Sequence, residues 1–162
     1  MSRRYQPAEL LAHRAPMLLL DEILEYDAQS LNAIVEVRPG KAFCDESGAP
    51  GWVGLEWMAQ TAGAWFGAHQ LDNGEQVNIG FLLGTRHYRG PEHFPLGRIH
   101  AHAQVVLFDP ASGIAAMDCL LRSSASNINQ RVDETILASA RVKLYQPQNT
   151  AKILDQQTVK YL

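Results

Sequence analysis

The chain has 162 residues, a length suited to one domain with a core of its own. With 46% apolar and 19% charged residues, it excludes a disordered chain, a collagen-like repeat and a coiled coil. A formal charge of −3, from 14 Lys and Arg against 17 Asp and Glu, leaves no basic field for nucleic-acid phosphates.

The start, Met1 to Pro7, is basic but runs into Glu9 and His13-Arg14 without the apolar stretch of a signal peptide. No run of about 18 apolar residues encodes a membrane span. Cys44 and Cys119 stand far apart without Cys-x-x-Cys spacing, so neither a disulfide framework nor a structural zinc site is signalled. These features point to a soluble, cytoplasmic protein, and no cofactor or metal motif is read.

Pro7 to His13 reads as a short helix, with proline in its first turn and Pro16 ending it. Met17 to Leu20 is a short buried run. Leu31 to Val37 alternates as a strand with one covered face. Gly40 to Gly51, rich in glycine and acidic residues, reads as a loop. Val53 to Leu71 is the strong helix: Leu55, Met58, Ala59, Ala62, Trp65 and Phe66 recur at helical spacing, and the helix is so apolar that it must be buried. Four β-rich stretches follow, Ile79 to Tyr88, Arg98 to Phe108, Ile114 to Arg122 and Thr135 to Tyr145, parted by turns at Gly90-Pro91 and 109–113. The tail from about Gln146 is polar. One early buried helix followed by antiparallel strands predicts an α+β fold in a single domain over 1–162, its sheet wrapped around the helix. The long edge strands favour at least a dimer.

Glu56 is the most informative residue. A carboxylate one turn inside an apolar helix costs several kcal/mol, on the order of 2–7, unless it is paired or faces a cavity. It either pairs structurally, for instance with an arginine, or takes part in proton transfer. Gln60 follows on the same face, and Gly63 and Gly67 continue it without side chains, leaving room for another backbone or a ligand. Pro50-Gly51-Trp52 opens the helix, so its N–H groups form either a simple turn or a site for a polarised carbonyl oxygen.

The segment Pro50-Gly51-Trp52-Val53-Gly54-Leu55-Glu56-Trp57-Met58-Ala59-Gln60 resembles the helix start of the β-hydroxyacyl-ACP dehydratases, where Pro-Gly opens the central helix and an acidic residue five positions after the glycine is catalytic. His13 to Ile23 is similar to that family's N-terminal segment, and Gly80 to Arg89 with Pro95-Leu96-Gly97 to the segment after its helix. The resemblance reaches to about Val106 and implies a hot-dog fold, a long helix wrapped by an antiparallel sheet and assembled as dimers. It further implies Glu56 as the catalytic group that protonates the departing hydroxyl, and Gly51 N–H as the holder of the thioester oxygen. Gly51, Trp52, Gln60, Arg86 and Arg89 are then the candidate substrate contacts, and an acyl carrier protein bearing an acyl-phosphopantetheine is the implied partner.

One departure stands out. The family's loop histidine, which removes the α-proton, lies fourteen positions before the helix carboxylate, and that position here is Ala42. A methyl group moves no proton, so the isolated chain is expected to dehydrate poorly unless a base comes from elsewhere. His93-Phe94-Pro95 repeats the motif's letters beyond the helix and is read as a turn or as a base from another direction. His100 and His102 share a strand face, either hydrogen-bonded or as a metal pair lacking a third ligand. Cys44 has nothing near it in sequence to activate it.

Arg86, His87, Arg89 and Arg98 concentrate positive charge, either to steer an acidic carrier or as solvated strand ends. The apolar faces form an acyl tunnel or plain core. Three functions follow: a dehydratase-like protein of fatty-acid or polyketide assembly; a non-catalytic partner subunit in a hetero-oligomer with a histidine-bearing homologue; or an acyl thioesterase in which Glu56 or Asp45 activates water. Glu56 is expected to be buried at a subunit interface beside an apolar channel.

Overall fold

The computed structural model describes residues 5–123 and 135–147. The chain runs α1 (Pro7–Leu10), β1 (Glu22–Tyr26), β2 (Ser30–Val37), β3 (Ala49–Pro50), α2 (Val53–Asp72), β4 (Phe81–Arg89), β5 (His93–Phe94), β6 (Gly97–Asp109), β7 (Ile114–Ser123) and β8 (Ile136–Tyr145). Six strands form one sheet in the order β1-β2-β6-β7-β8-β4, and β3 pairs with β5 in a separate two-stranded sheet. Every pairing is antiparallel.

The sheet holds α2 on one face, and the sequence shows why they fit. Many of the inward-pointing residues of β6 to β8 are small, among them Ala101, Ala103, Ala115, Ala138 and Ala140, while the helix supplies Trp57, Trp65 and Phe66. Large side chains on the helix fill the space that small ones on the sheet leave, which brings the two layers close at interior packing density. Burial around most of the helix circumference, including Val53, Met58, Ala62 and Ala68, agrees with its nearly uniform apolar sequence.

Three readings need correction. The first helix stops at Leu10, because Leu11 is extended (φ −126°, ψ 145°); His13 therefore lies beyond it in an irregular segment. Glu22–Tyr26 is a strand that the sequence did not announce, interrupted by a bulge between Ile23 and Glu25. The loop before α2 contains a short strand, Ala49 opposite Phe94 and Pro50 opposite His93. Phe43 in that loop adopts φ 66°, a left-handed conformation uncommon for a bulky residue. The polar tail expected from about Gln146 lies, beyond Pro147, outside the described residues.

The helix is fastened at both ends. At its C-terminal end Asp72 accepts hydrogen bonds from Tyr5 Oη and Tyr26 Oη, each at 2.8 Å. At its start, the Tyr88 hydroxyl donates to the Gly51 carbonyl, and a Cβ on Gly54 would lie 2.7 Å from the Phe94 ring.

Candidate active site around Glu56

Glu56 occupies the first turn of α2, where the helix dipole favours a carboxylate. Its side chain keeps 35% of its exposure within the single chain, and the group looks into a cavity. That cavity has a volume of about 160 Å³ and is walled by His13, Glu56, Gln60, Gly63, Phe66 and Leu82, among others. Ligand pockets usually span roughly 300–1,000 Å³, so this one is small. Phe66, Asn78 and Gln146 also border a second cavity of about 660 Å³, walled further by Trp65, His69 and Phe108.

Gln60 is 1% exposed, and its amide is fully engaged. Oε1 accepts from Leu19 N–H at 2.9 Å. Nε2 donates to the Met17 carbonyl at 2.8 Å and to Glu56 Oε1 at 2.9 Å. The residue thus clamps the segment at 17–19 onto the helix and aims the carboxylate. Both of its amide hydrogens are taken by protein partners.

The two glycines on this face divide their duties. A Cβ on Gly67 would fall 2.1 Å from the Leu10 carbonyl oxygen, so there the missing side chain admits another backbone. Gly63 borders the cavity, and there a Cβ would meet only the flexible tip of Leu11 at 3.2 Å.

At Gly51 the backbone amide has a protein partner. Gly51 N–H donates to the Glu92 carbonyl at 2.8 Å, and a Cβ at Gly51 would lie 1.9 Å from the Pro91 oxygen. Pairing of β3 with β5 covers this amide with backbone. Trp52 projects into solvent at 62% exposure, its ring edge-on to Phe43 with centroids 5.2 Å apart. Arg86 and Arg89 lie on the edge strand β4. Of the predicted contacts, only Gln60 joins Glu56 in walling the cavity; Gly51, Trp52, Arg86 and Arg89 do not.

His13 is the residue that sequence reasoning left without a role. Its Nε2 lies 3.5 Å from Glu56 Oε1, and its ring walls the same cavity. Arg14 fixes the local chain, its Nη1 donating to the carbonyls of Leu11 at 2.8 Å and His13 at 2.7 Å. A titratable residue just ahead of Pro16 was the available signal; its partner, 43 positions later, is brought near only by folding.

The other candidates lie apart. Ala42 packs against the core, and beside it Lys41 Nζ bonds the Leu19 carbonyl at 2.8 Å and contacts the Asp21 carboxylate. His93 faces Ser47 Oγ at 3.3 Å. His102 Nδ1 contacts Asn32 Oδ1 at 2.8 Å, and its imidazole is held below the usual histidine range chiefly by burial, with Arg122 adding to it. No metal-ligand cluster occurs among the described residues. Both cysteines are free thiols, and burial pushes Cys119 upward. Arg98 leaves the basic group, pairing with Glu22 at 2.8 Å and Glu36 at 3.5 Å, whereas Arg86 and His87 share a groove with Arg141 and Lys143.

A long helix held by one antiparallel sheet, with a carboxylate in its first turn facing a cavity, defines a hot-dog protein. Residues 5–155 match the ApeP-like family, described as ApeP dehydratase, and the chain belongs to that family. It is similar to a chain of the dehydratase heterocomplex ApeI:P from Xenorhabdus doucetiae, at 26% identity over 94% of this chain and 97% of that one, with a TM-score of 0.79. A mutant thioesterase from Staphylococcus aureus (13% identity, 77% and 91% covered, TM-score 0.57) shares the fold. So does zebra fish thioesterase superfamily member 2 (12% identity, 83% and 86% covered, TM-score 0.60). No curated protein sequence matches significantly.

Proposed function

We propose that the chain dehydrates 3-hydroxyacyl thioesters carried on the phosphopantetheine of an acyl carrier protein, as a step of fatty-acid or polyketide assembly. The observation that carries this reading is Glu56, a carboxylate in the first turn of the central helix, aimed by a buried glutamine into a cavity. Membership of a dehydratase family supports it. Glu56 delivers a proton to the 3-hydroxyl as the C3–O bond breaks, and water leaves. The 160 Å³ cavity takes the reacting carbons, and the 660 Å³ cavity that shares Phe66, Asn78 and Gln146 takes the acyl tail.

Assembly with a second chain is part of this reading. The edge strand β4 exposes Phe81, Leu82 and Leu83, with 38%, 40% and 53% of their surface open, and an apolar edge of this kind invites pairing. The partner is a second copy or a dehydratase homologue; similarity to a chain of the ApeI:P heterocomplex favours the homologue. The groove holding Arg86, His87 and Lys143 offers charge complementary to an acidic carrier.

The test is dehydration of a 3-hydroxyacyl-carrier thioester followed by mass spectrometry, with the chain alone and mixed with a histidine-bearing homologue. Glu56→Gln should lower the turnover this chain contributes by about 10²–10⁴-fold, the usual worth of a general acid. Absence of dehydration in both arrangements, or full activity of Glu56→Gln, refutes the proposal.

A further inference from the structure

We propose that His13 is the base that removes the α-proton in the Glu56 cavity, so that a single chain carries both proton-handling groups of the dehydration. The inference rests on the dehydratase reading and goes beyond it by locating the base that Ala42 cannot supply. Of the six histidines in the chain, all within the described residues, His13 alone walls the cavity that Glu56 faces. His69 bonds the Asp27 carbonyl at 2.9 Å, His93 and His102 are engaged as above, and His87 and His100 lie on β4 and β6.

The ring's orientation fits the task. Its Nδ1 is covered by protein and has no hydrogen-bond partner, while its Nε2 faces Glu56 Oε1 at 3.5 Å. The side chain is 39% exposed, so that one edge remains open to the cavity. Arg14 holds the His13 carbonyl, and Gln60 holds both the carboxylate and the segment at 17–19. The carboxylate is thereby aimed by Gln60 and the His13 backbone is held by Arg14, which keeps the two groups side by side, as a two-group elimination needs.

The step balances within the pair. In the reactive form Nε2 carries a lone pair and Glu56 carries a proton. Nε2 takes the C2 proton, and the C2–H electron pair becomes the C2=C3 double bond. The C3–O bond breaks, and the departing hydroxyl takes the Glu56 proton to leave as water. What remains is an imidazolium beside a carboxylate. Transfer of the proton from Nε2 to Oε1 across the short gap between them restores the starting pair without any outside reagent. On this proposal the chain itself holds both proton-handling groups that the chemistry requires.

The test compares the full chain with His13→Gln, His13→Ala and His93→Gln on the carrier-bound substrate, without any homologue. His13→Gln should lower kcat by about 10²–10⁴-fold with little change in KM, and its thermal melt shows whether the fold is kept. Imidazole added to His13→Ala should restore at least about tenfold of the lost rate, which a purely structural role would not allow. His93→Gln should keep its turnover. The proposal is overturned if His13→Gln retains turnover, if imidazole fails to rescue His13→Ala, or if His93→Gln is the variant that loses it. It is overturned too if the chain works only with a histidine-bearing homologue, a result that leaves the role of Glu56 standing. Inactivity in both arrangements is the separate result that removes the dehydratase reading itself.

Discussion

Replacing Gln60 by leucine tests whether one buried amide holds the site together. The leucine keeps most of the volume, so the change isolates three hydrogen bonds. Leu19 is fully buried, and its N–H, now bonded to Gln60 Oε1 at 2.9 Å, would be stranded at a cost of about 1–3 kcal/mol. Met17 is 41% exposed and Glu56 35%, so water can replace the two bonds from Nε2, at roughly 1 kcal/mol each. Burying an apolar side chain instead returns about 1.5–2 kcal/mol. The hydrogen-bond loss prevails, and Gln60→Leu should be less stable by about 1–3 kcal/mol, or about 3–10 °C in Tm at this chain length. The same change frees the Glu56 carboxylate to rotate, so turnover should fall by about tenfold. In a Glu56→Gln background, Gln60→Leu should add no further loss of turnover while costing the same stability, because its catalytic effect runs through Glu56. Calorimetry and the dehydration assay measure the two effects separately. A Tm within about 1 °C of the unmodified chain, or a tenfold loss that persists without Glu56, would refute this account.

Three further outcomes are expected. Gly67→Ala puts a methyl 2.1 Å from the Leu10 carbonyl oxygen and should cost about 1–3 kcal/mol or more through overpacking; Gly63→Ala meets only the flexible tip of Leu11 at 3.2 Å and should be neutral or slightly stabilising. Equal melting temperatures for the two variants would count against the packing described. Asp27 accepts N–H bonds from Gln29 and Ser30, each at 2.8 Å, which hold its carboxyl below the usual range, the Gln29 bond most strongly. Its folded pKa is thus depressed, so its contribution is complete above the unfolded value of about 3.9 and disappears as pH falls through the folded one. Asp27→Asn should shrink the drop in Tm between about pH 7 and pH 3, and an unchanged drop contradicts the assignment. Finally, Leu83→Lys on the exposed edge β4 should shift an assembled protein toward monomer in light scattering at micromolar concentration; a monomeric unmodified chain, or a variant that assembles equally well, argues against that edge as the contact.

Much of this protein is written locally in its residues. The run from Val53 to Asp72 is apolar around nearly its whole circumference, and such a helix has no stable place except inside a sheet. The β-rich stretches parted by turns after the helix supplied that sheet. A carboxylate set against this background marked Glu56, because its desolvation has to be met by a partner or a cavity wherever the helix ends up. Sequence spacing could say nothing of which of those two it would be. That depended on Gln60 reaching the backbone at 17–19, on α1 ending at Leu10 so that His13 could swing toward Glu56, and on β5 returning to cover the Gly51 amide. Each of these contacts joins segments about forty residues apart. Local spacing decides which groups share a face of one element, because helix and strand periods are fixed by backbone geometry. Which face meets which is decided by how whole layers pack, and so the imidazole beside the carboxylate came into view only with the tertiary structure.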